Sequence, residues 1–413
     1  MNNLYKFDPE LHSYIILEEN RQENEIELIA SENYASIAVM EASGSILMNK
    51  YSEWYPWKRY YAWQINIDKI ENLAINRTKE LFWAEYVNVQ PLSWSPANLA
   101  VFLWVLKPGD TVLWMSLDQW GHLSHGHPLN FSWLLYNIIG YTVDKVTEMI
   151  DMDEVERLAI ENKPKLIIAW FSAYSRNLDW KRFREIADKV WAILMADISH
   201  IAGLIAWKAI INPIPFCDIV TTTTHKTLRW PRWAIIMSKE QFWPQIARAV
   251  FPWVQWWPHE NLIAAKAVAL KEALDSSFQE YARQVIDNAR QLSESLQWYW
   301  FRVISWWTDN HLILLDVYWS FEITWKEAEI ALEKIWISCN KNMIPYDPRK
   351  PLDPSWIRLW TPAVTTRWMW IQEMKDLAFY IYEAIKNKDD DSILDWFRSK
   401  IQELCTRFPI YNK

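Results

Sequence analysis

Residues 191–227 read WAILMADISHIAGLIAWKAIINPIPFCDIVTTTTHKT, and two runs in this stretch set the architecture. WAILMAD is an apolar run of strand length that stops on Asp197. DIVTTTT is rich in β-branched residues and stops just ahead of Lys226. Both have the composition of buried strands. Upstream, KLIIAWFSA (165–173) reads as another buried strand, Thr111–Met115 as a further one and Tyr86–Val89 as a short β-like run. Between them lie helical patterns over Ala97–Leu106, Asp153–Asn162 and Arg182–Val190, with KPGD (107–110) as a turn. Short apolar strands alternating with helices predict an α/β fold whose mainly parallel sheet is covered on both faces. Ligands in such sheets bind at the C-terminal strand ends. Ser172, Asp197 and Lys226 fall there.

Working outward, the N-terminal stretch to about residue 60 predicts a helical piece around Glu23–Ile29 and then a polar, aromatic loop. After Pro258 one long helical segment, Ile263–Leu296, leads into a mixed α/β region. The expected organisation is an N-terminal segment over 1–60, a large domain over 61–275 and a smaller C-terminal domain over 276–413. KNKDDD (386–391) reads as a solvated turn. A length of 413 residues exceeds what one ordinary core serves.

The net charge of -8 argues against a nucleic-acid or membrane-surface partner. Cys217, Cys339 and Cys405 are too few and too scattered for a disulfide framework or a metal cluster, so no metal is expected. No basic segment followed by an apolar run opens the chain, and no apolar stretch reaches the roughly 18 to 20 residues of a membrane span. A cytoplasmic protein is expected.

One feature of the composition conflicts with the rest. The chain has 31 Trp and 6 Gly, although glycine is normally about 7% of residues. Trp120, Trp230, Trp233, Trp256 and Trp257 stand where turn chemistry calls for glycine. Glycine adopts positive φ without penalty and tryptophan does not. The sequence therefore predicts that most of these positions are glycine in the living protein, as when a UGA codon is read as glycine by the cell and as tryptophan by another code.

Several residue types carry possible chemistry. Lys226, flanked by hydroxyls at a strand end, is a candidate nucleophile, although such a lysine alone also reads as a surface residue. Asp197 would pair with a protonated ring nitrogen or simply cap a helix. SWSPAN (93–98) joins Ser93 and Ser95 to a helix start, which suits a phosphate and equally suits plain capping. Arg358, alone on an apolar strand, matches a carboxylate or a structural salt bridge. The cluster KYSEWYPWKRYY (50–61) gathers Tyr51, Glu53, Tyr55, Tyr60 and Tyr61 as a proton-transfer site or an aromatic interface. His122 and His125 would stack on a ring or be structural. In order along one sheet, these residues fit a pyridoxal-phosphate (PLP) enzyme of the aspartate-aminotransferase fold.

The segments ELIASENYAS (27–36), NKYSEWYPWKRYYAW (49–63), NVQPLSWSPAN (88–98), GHLSHG (121–126), ADISHIAGLIA (196–206), TTTTHKTLRWPRW (221–233) and SWIRLWTPA (355–363) resemble serine hydroxymethyltransferase over roughly residues 20 to 370. The resemblance implies PLP-dependent fold type I. It implies reversible transfer of the serine hydroxymethyl carbon to tetrahydrofolate, giving glycine and 5,10-methylenetetrahydrofolate. Lys226 would bind the cofactor covalently with His225 before it. Asp197, His200, His122, Ser93, Ser95, Ser172 and Thr223 would surround the cofactor. Ser31 and Arg358 would hold the amino-acid carboxylate. Glu53, with Tyr51 and Tyr61, would handle protons. Leu117, Gly121, Leu123, Asn342 and Leu352 would line the folate pocket. A homodimer with shared sites is implied, the partner chain giving Tyr51, Glu53 and the segment around Gln255. The family has glycine where this chain has Trp54, Trp57, Trp63, Trp94, Trp230, Trp233, Trp253, Trp256, Trp257, Trp356 and Trp360. Two other readings stay open: a PLP-dependent threonine or allo-threonine aldolase, and a non-enzymatic scaffold if the tryptophans are literal.

Overall fold

The computed structural model describes residues 2–116, 119–121, 129–342, 345–347, 349 and 354–411. The chain divides into two compact units, one built from Asn33–Gln284 with Met343–Tyr346, the other from Met1–Glu32, Val285–Asn342 and Asp347–Lys413.

The first unit is organised on seven strands: β1 (Tyr86–Asn88), β2 (Thr111–Met115), β3 (Asn137–Tyr141), β4 (Leu166–Ala169), β5 (Ile193–Asp197), β6 (Ile219–Thr223) and β7 (Ala234–Ser238). Their spatial order is β1-β7-β6-β5-β4-β2-β3. All neighbours run parallel except β7, which is antiparallel to both β1 and β6. β4, β6 and β7 are buried along their whole length, as expected for strands covered on both faces. The α/β fold with a mainly parallel sheet is that of fold type I. Ala100, Val101, Phe102, Leu166, Ile168, Met195 and Ile236 form part of the core between sheet and helices. Aspartates start the crossover helices: Asp151 accepts from Asp153 and Glu154 N–H groups, and Asp179 from the Arg182 N–H.

A four-stranded antiparallel sheet, ordered Asn340–Asn342, Trp356–Trp360, Leu312–Asp316, Arg302–Val303, organises the second unit. Helices Trp325–Lys334, Ile371–Lys386 and Asp391–Arg407 cover it around Leu315, Ile357, Leu377, Ile381 and Phe397. The fully buried guanidinium of Arg367 donates to the carbonyls of Glu23, Glu25 and Phe408, tying the N-terminal segment to this unit.

Two sequence expectations need correction. The N-terminal helix is Pro9–Asn24, not a piece around Glu23–Ile29, and Ile26–Glu27 is instead a strand paired in parallel with Ile337–Ser338. No residue of that helix is buried, so its signal lies in its cap, Asp8 accepting from the Leu11 N–H, and in Pro9 at its start. The expected long helix is two, Glu260–Ala273 and Ser276–Trp298. Asp275 breaks it by accepting the Ser277 N–H and restarting the next helix. KNKDDD is a largely exposed turn as expected, and within it Asp390 is also the N-cap of Asp391–Arg407, accepting from Ser392 and Ile393 N–H groups.

Candidate functional site

The stops of β5 and β6 bring Asp197 and Lys226 to the same end of the sheet. Asp197 is 3% exposed and collects four donors. Its Oδ1 accepts from the Ser199 N–H at 3.0 Å and from Ser199 Oγ. Its Oδ2 accepts from Asn98 Nδ2 at 3.1 Å and from the indole Nε1 of Trp94. An ionised carboxylate is acceptor-only, and these four donors suit that form. Lys226 Nζ donates to Thr223 Oγ1 at 3.1 Å and lies 6.0 Å from the Trp94 ring centroid.

The turn that presents Lys226 is held from several sides. Thr223 N–H donates to Ser199 Oγ at 3.0 Å, Thr224 Oγ1 to Pro231 O at 2.6 Å, and Thr227 Oγ1 to His200 O at 3.0 Å. Asn33 Nδ2 donates to the Lys226 carbonyl at 2.9 Å. Gly203 N–H donates to Thr227 Oγ1 at 2.9 Å, and a Cβ on Gly203 would stand 2.4 Å from Thr227 O. Only glycine permits that approach. Lys226 is therefore fixed by hydrogen bonds rather than left on a mobile turn. His225 is pushed down to about 3, by burial and then by the charges of Lys226 and Arg232, so it is neutral near pH 7.

Ser172 donates from both N–H and Oγ to the Trp120 carbonyl, at 2.9 and 2.8 Å, which places it beside Gly121. Ser93 is the N-cap of helix Trp94–Val105 but makes no side-chain capping bond, and both it and Ser95 are exposed. That leaves the two hydroxyls and the helix-start N–H groups at one surface, the arrangement a phosphate uses. Leu117, His122, Leu123, His125 and Leu352 lie outside the described residues, as does the side chain of Asn342.

Glu53, Tyr51 and Tyr61 form a separate aromatic cluster within the same unit. Glu53 Oε1 accepts from Trp256 Nε1 at 2.7 Å and Tyr61 Oη at 3.4 Å. Tyr51 stands edge-on to Tyr61 at 5.7 Å between centroids. Desolvation, with the Glu53 charge, raises both phenols, which therefore stay protonated and able to donate. Beneath this loop sits a buried ion network that the sequence reading missed. Arg59 Nε pairs with Asp68 at 2.8 Å, its Nη2 with Glu71 at 2.6 Å, and its Nη1 with the Trp54 carbonyl at 2.7 Å. Gln90 Nε2 donates to Glu71 at 2.8 Å, and Gln255 joins the Gln90 carbonyl to the Leu92 N–H. Within one chain Gln255 thus braces the segment that leads to Ser93.

In the other unit, Asn340 Oδ1 accepts from Arg358 Nε and from the Ala30 N–H, each at 3.4 Å. Asn340 and Arg358 are register partners across adjacent strands. Asn340, which the sequence reading did not single out, thereby links Arg358 to Ala30, the residue before Ser31. Burial lowers Arg358 to about 10, so its charge still persists at neutral pH.

The donor set around Asp197 and Lys226 fits a protonated pyridine ring and a lysine-bound cofactor. Position 94 does not fit it. The Trp94 indole already presents an aromatic N–H to Asp197, in the role a pyridinium N–H would take, and packs 5.4 Å from Trp170.

Backbone conformation shows the same conflict more widely. Among the described residues, Trp54, Trp57, Trp63, Trp83, Trp120, Trp191, Trp300, Trp306, Trp336 and Trp368 have φ between 56 and 75 degrees. Of the seventeen non-glycine residues at positive φ these ten are tryptophan, far beyond its share of the chain. No helix among the described residues is long and apolar enough to cross a membrane. A family model described as serine hydroxymethyltransferase matches residues 4–381 of the chain.

Proposed function

Because the chain belongs to the serine hydroxymethyltransferase family, an enzyme family of PLP-dependent one-carbon transferases, we propose that it interconverts serine and tetrahydrofolate with glycine and 5,10-methylenetetrahydrofolate. The observation that carries this reading is the pair of strand-end groups: a buried carboxylate at Asp197 held by Ser199 and Asn98, and Lys226 beyond the adjoining strand with its Nζ on Thr223.

PLP, when bound, supplies an electron sink for a bond at the amino-acid α-carbon. The residues of the chain do the rest. Asp197, bonded by Ser199 and Asn98, would hold the ring N–H of the cofactor. Thr223 and the pinned 223–227 turn fix the direction of the Lys226 amine. Arg358, with its Nε on Asn340, would provide a planar fork for the substrate carboxylate. Fixing the carboxylate would restrict how the α-carbon bonds are presented, which is catalysis by orientation. Glu53, with Tyr51 and Tyr61 kept protonated beside it, moves a proton at the substrate hydroxyl or the folate carbon. The exposed Tyr51, Tyr60 and Tyr61 form an apolar surface suited to a second copy of the chain, supporting a homodimer. The same Glu53–Tyr61 pair favours hydroxymethyl transfer over a simple threonine aldolase, which has no folate to serve.

The test is PLP titration of the purified protein followed by glycine and tetrahydrofolate. We expect a visible band on adding PLP, absent in Lys226→Gln, and serine-dependent formation of 5,10-methylenetetrahydrofolate. Asp197→Asn loses a charged acceptor worth about 1.5–3 kcal/mol, which weakens PLP binding by roughly ten- to hundredfold. Threonine cleavage without folate-dependent transfer would replace this reading by the aldolase. A protein that gains no band with PLP would be the scaffold.

A further inference from the structure

We propose that glycine stands in the functional protein at position 94 and at the ten left-handed tryptophan positions, and that glycine at 94 clears the face of Asp197 and Lys226. The inference rests on the cofactor site described above only for position 94; the left-handed positions carry it independently.

The backbone supplies the first argument. A side chain in the left-handed region is strained, because Cβ crowds the following carbonyl. Ten such tryptophans together carry strain comparable with the whole margin by which a domain stays folded. Glycine carries no such penalty at any of these positions.

Their places in the fold supply the second. Trp191, Trp300 and Trp368 each follow a helix and close it with the same pair of bonds. Trp191 N–H reaches Asp188 O and Ala192 N–H reaches Ala187 O. Trp300 N–H reaches Gln297 O and Phe301 N–H reaches Leu296 O. Trp368 N–H reaches Thr365 O and Met369 N–H reaches Val364 O. This is the Schellman closure, whose left-handed residue is usually glycine. Trp83 is the left-handed cap of helix Ile65–Phe82. Burial does not account for the indoles at two of these positions, since Trp191 is 94% exposed and Trp300 82%.

Buried indoles supply the third. Among the ten, Trp120 is buried and its Nε1 has no hydrogen-bond partner among the described residues. An orphaned buried donor is destabilising. The same orphaned Nε1 recurs, outside the ten, at buried Trp230, Trp233, Trp356 and Trp360. By contrast Asp197, Lys226, Glu53 and Arg358 retain the chemistry the site needs. Random decay would not spare those residues and convert one residue type into one other. A single codon read as glycine in the cell and as tryptophan elsewhere does so.

The experiment is peptide mass mapping of the protein isolated from the organism that carries the gene, focused on the tryptic peptide Glu80–Lys145, since trypsin does not cut the Lys107–Pro108 bond, and on the peptides covering Trp191 and Trp300. The expected masses show glycine at 83, 94, 191 and 300. Masses that fit tryptophan at these positions overturn the proposal, whatever the activity. A second measurement compares chains expressed with Trp94 and with Trp94→Gly, each with glycine at the ten left-handed positions, for PLP binding by visible absorbance. The glycine chain is expected to bind at least tenfold more tightly, and equal binding would overturn the assignment at 94. Glycine by mass with no PLP binding in either chain would leave the residue assignment standing and refute the cofactor reading instead.

Discussion

Replacing Arg59 by methionine tests whether the network beneath the Glu53 loop holds that loop in place. The side chains of Arg59, Asp68 and Glu71 are 3%, 6% and 1% exposed, so the pairs at 2.8 and 2.6 Å are nearly cut off from water. Removing the guanidinium leaves two buried carboxylates without their cation, a change that costs about 3–5 kcal/mol. The loss depends on pH. Burial already raises Glu71, and burial followed by repulsion from Glu71 pushes Glu260 up to about 8. A carboxyl raised in the fold contributes stability that is full below its unfolded value near 4.3 and is lost as pH rises through the folded one. Without Arg59, Glu71 rises further, so Arg59→Met is expected to cost less at pH 5 than at pH 8. Urea unfolding at the two pH values measures this. Because Arg59 also holds the Trp54 carbonyl, the variant should lower kcat for folate-dependent transfer at pH 8 even while folded. A loss below about 1 kcal/mol, or one equal at both pH values, would refute a buried, proton-sensitive network.

Arg358→Lys keeps the charge but loses the planar fork, so steady-state kinetics should show the serine KM rising about tenfold or more with a smaller change in kcat. His225 is held near 3 in the fold, so the stability due to its neutral form is present above its unfolded value near 6.5 and is lost as pH falls toward 3. His225→Asn should therefore flatten the acid limb of the unfolding profile over that window, and an unchanged limb would count against a buried neutral imidazole. In a chain carrying Trp191, Trp191→Gly should raise stability by roughly 1–2 kcal/mol by thermal or urea unfolding, while Trp191→Ala keeps the Cβ and should gain less.

The strands that present Asp197 and Lys226 were legible because an apolar run ending on a polar residue marks both a buried strand and its exit from the core. Ser199 accordingly bonds both strand ends, Asp197 and Thr223, and Lys226 bonds Thr223. Residues whose roles depend on a distant partner were not legible. Asn340 looks like any strand-end amide until Arg358 is placed beside it by strand register. Asp68 and Glu71 lie in a helix of mixed charge and read as a solvated face, yet an arginine from the preceding loop buries them. The Pro9–Asn24 helix escaped because helix periodicity is sought in apolar residues, and it buries none. The tryptophans were legible as an anomaly of composition. Only backbone angles separate those that close helices, such as Trp191, from those inside the core, such as Trp356.

The parallel pairing of Ile26–Glu27 with Ile337–Ser338 has a consequence for the order in which the chain folds. The Ala30 N–H meets a partner 310 residues further on, at Asn340. During synthesis the N-terminal segment leaves the ribosome first and yet has nothing to pair with until most of the chain has followed. The seven-stranded sheet can close once β7 has been made, because β1 and β6 both pair with it. Long-range pairing of this kind pays loop-closure entropy before any contact rewards it. The early segment must therefore wait as the helix Pro9–Asn24, which buries no residue even in the finished fold. The delay thus leaves little of that helix uncovered that the fold would later cover.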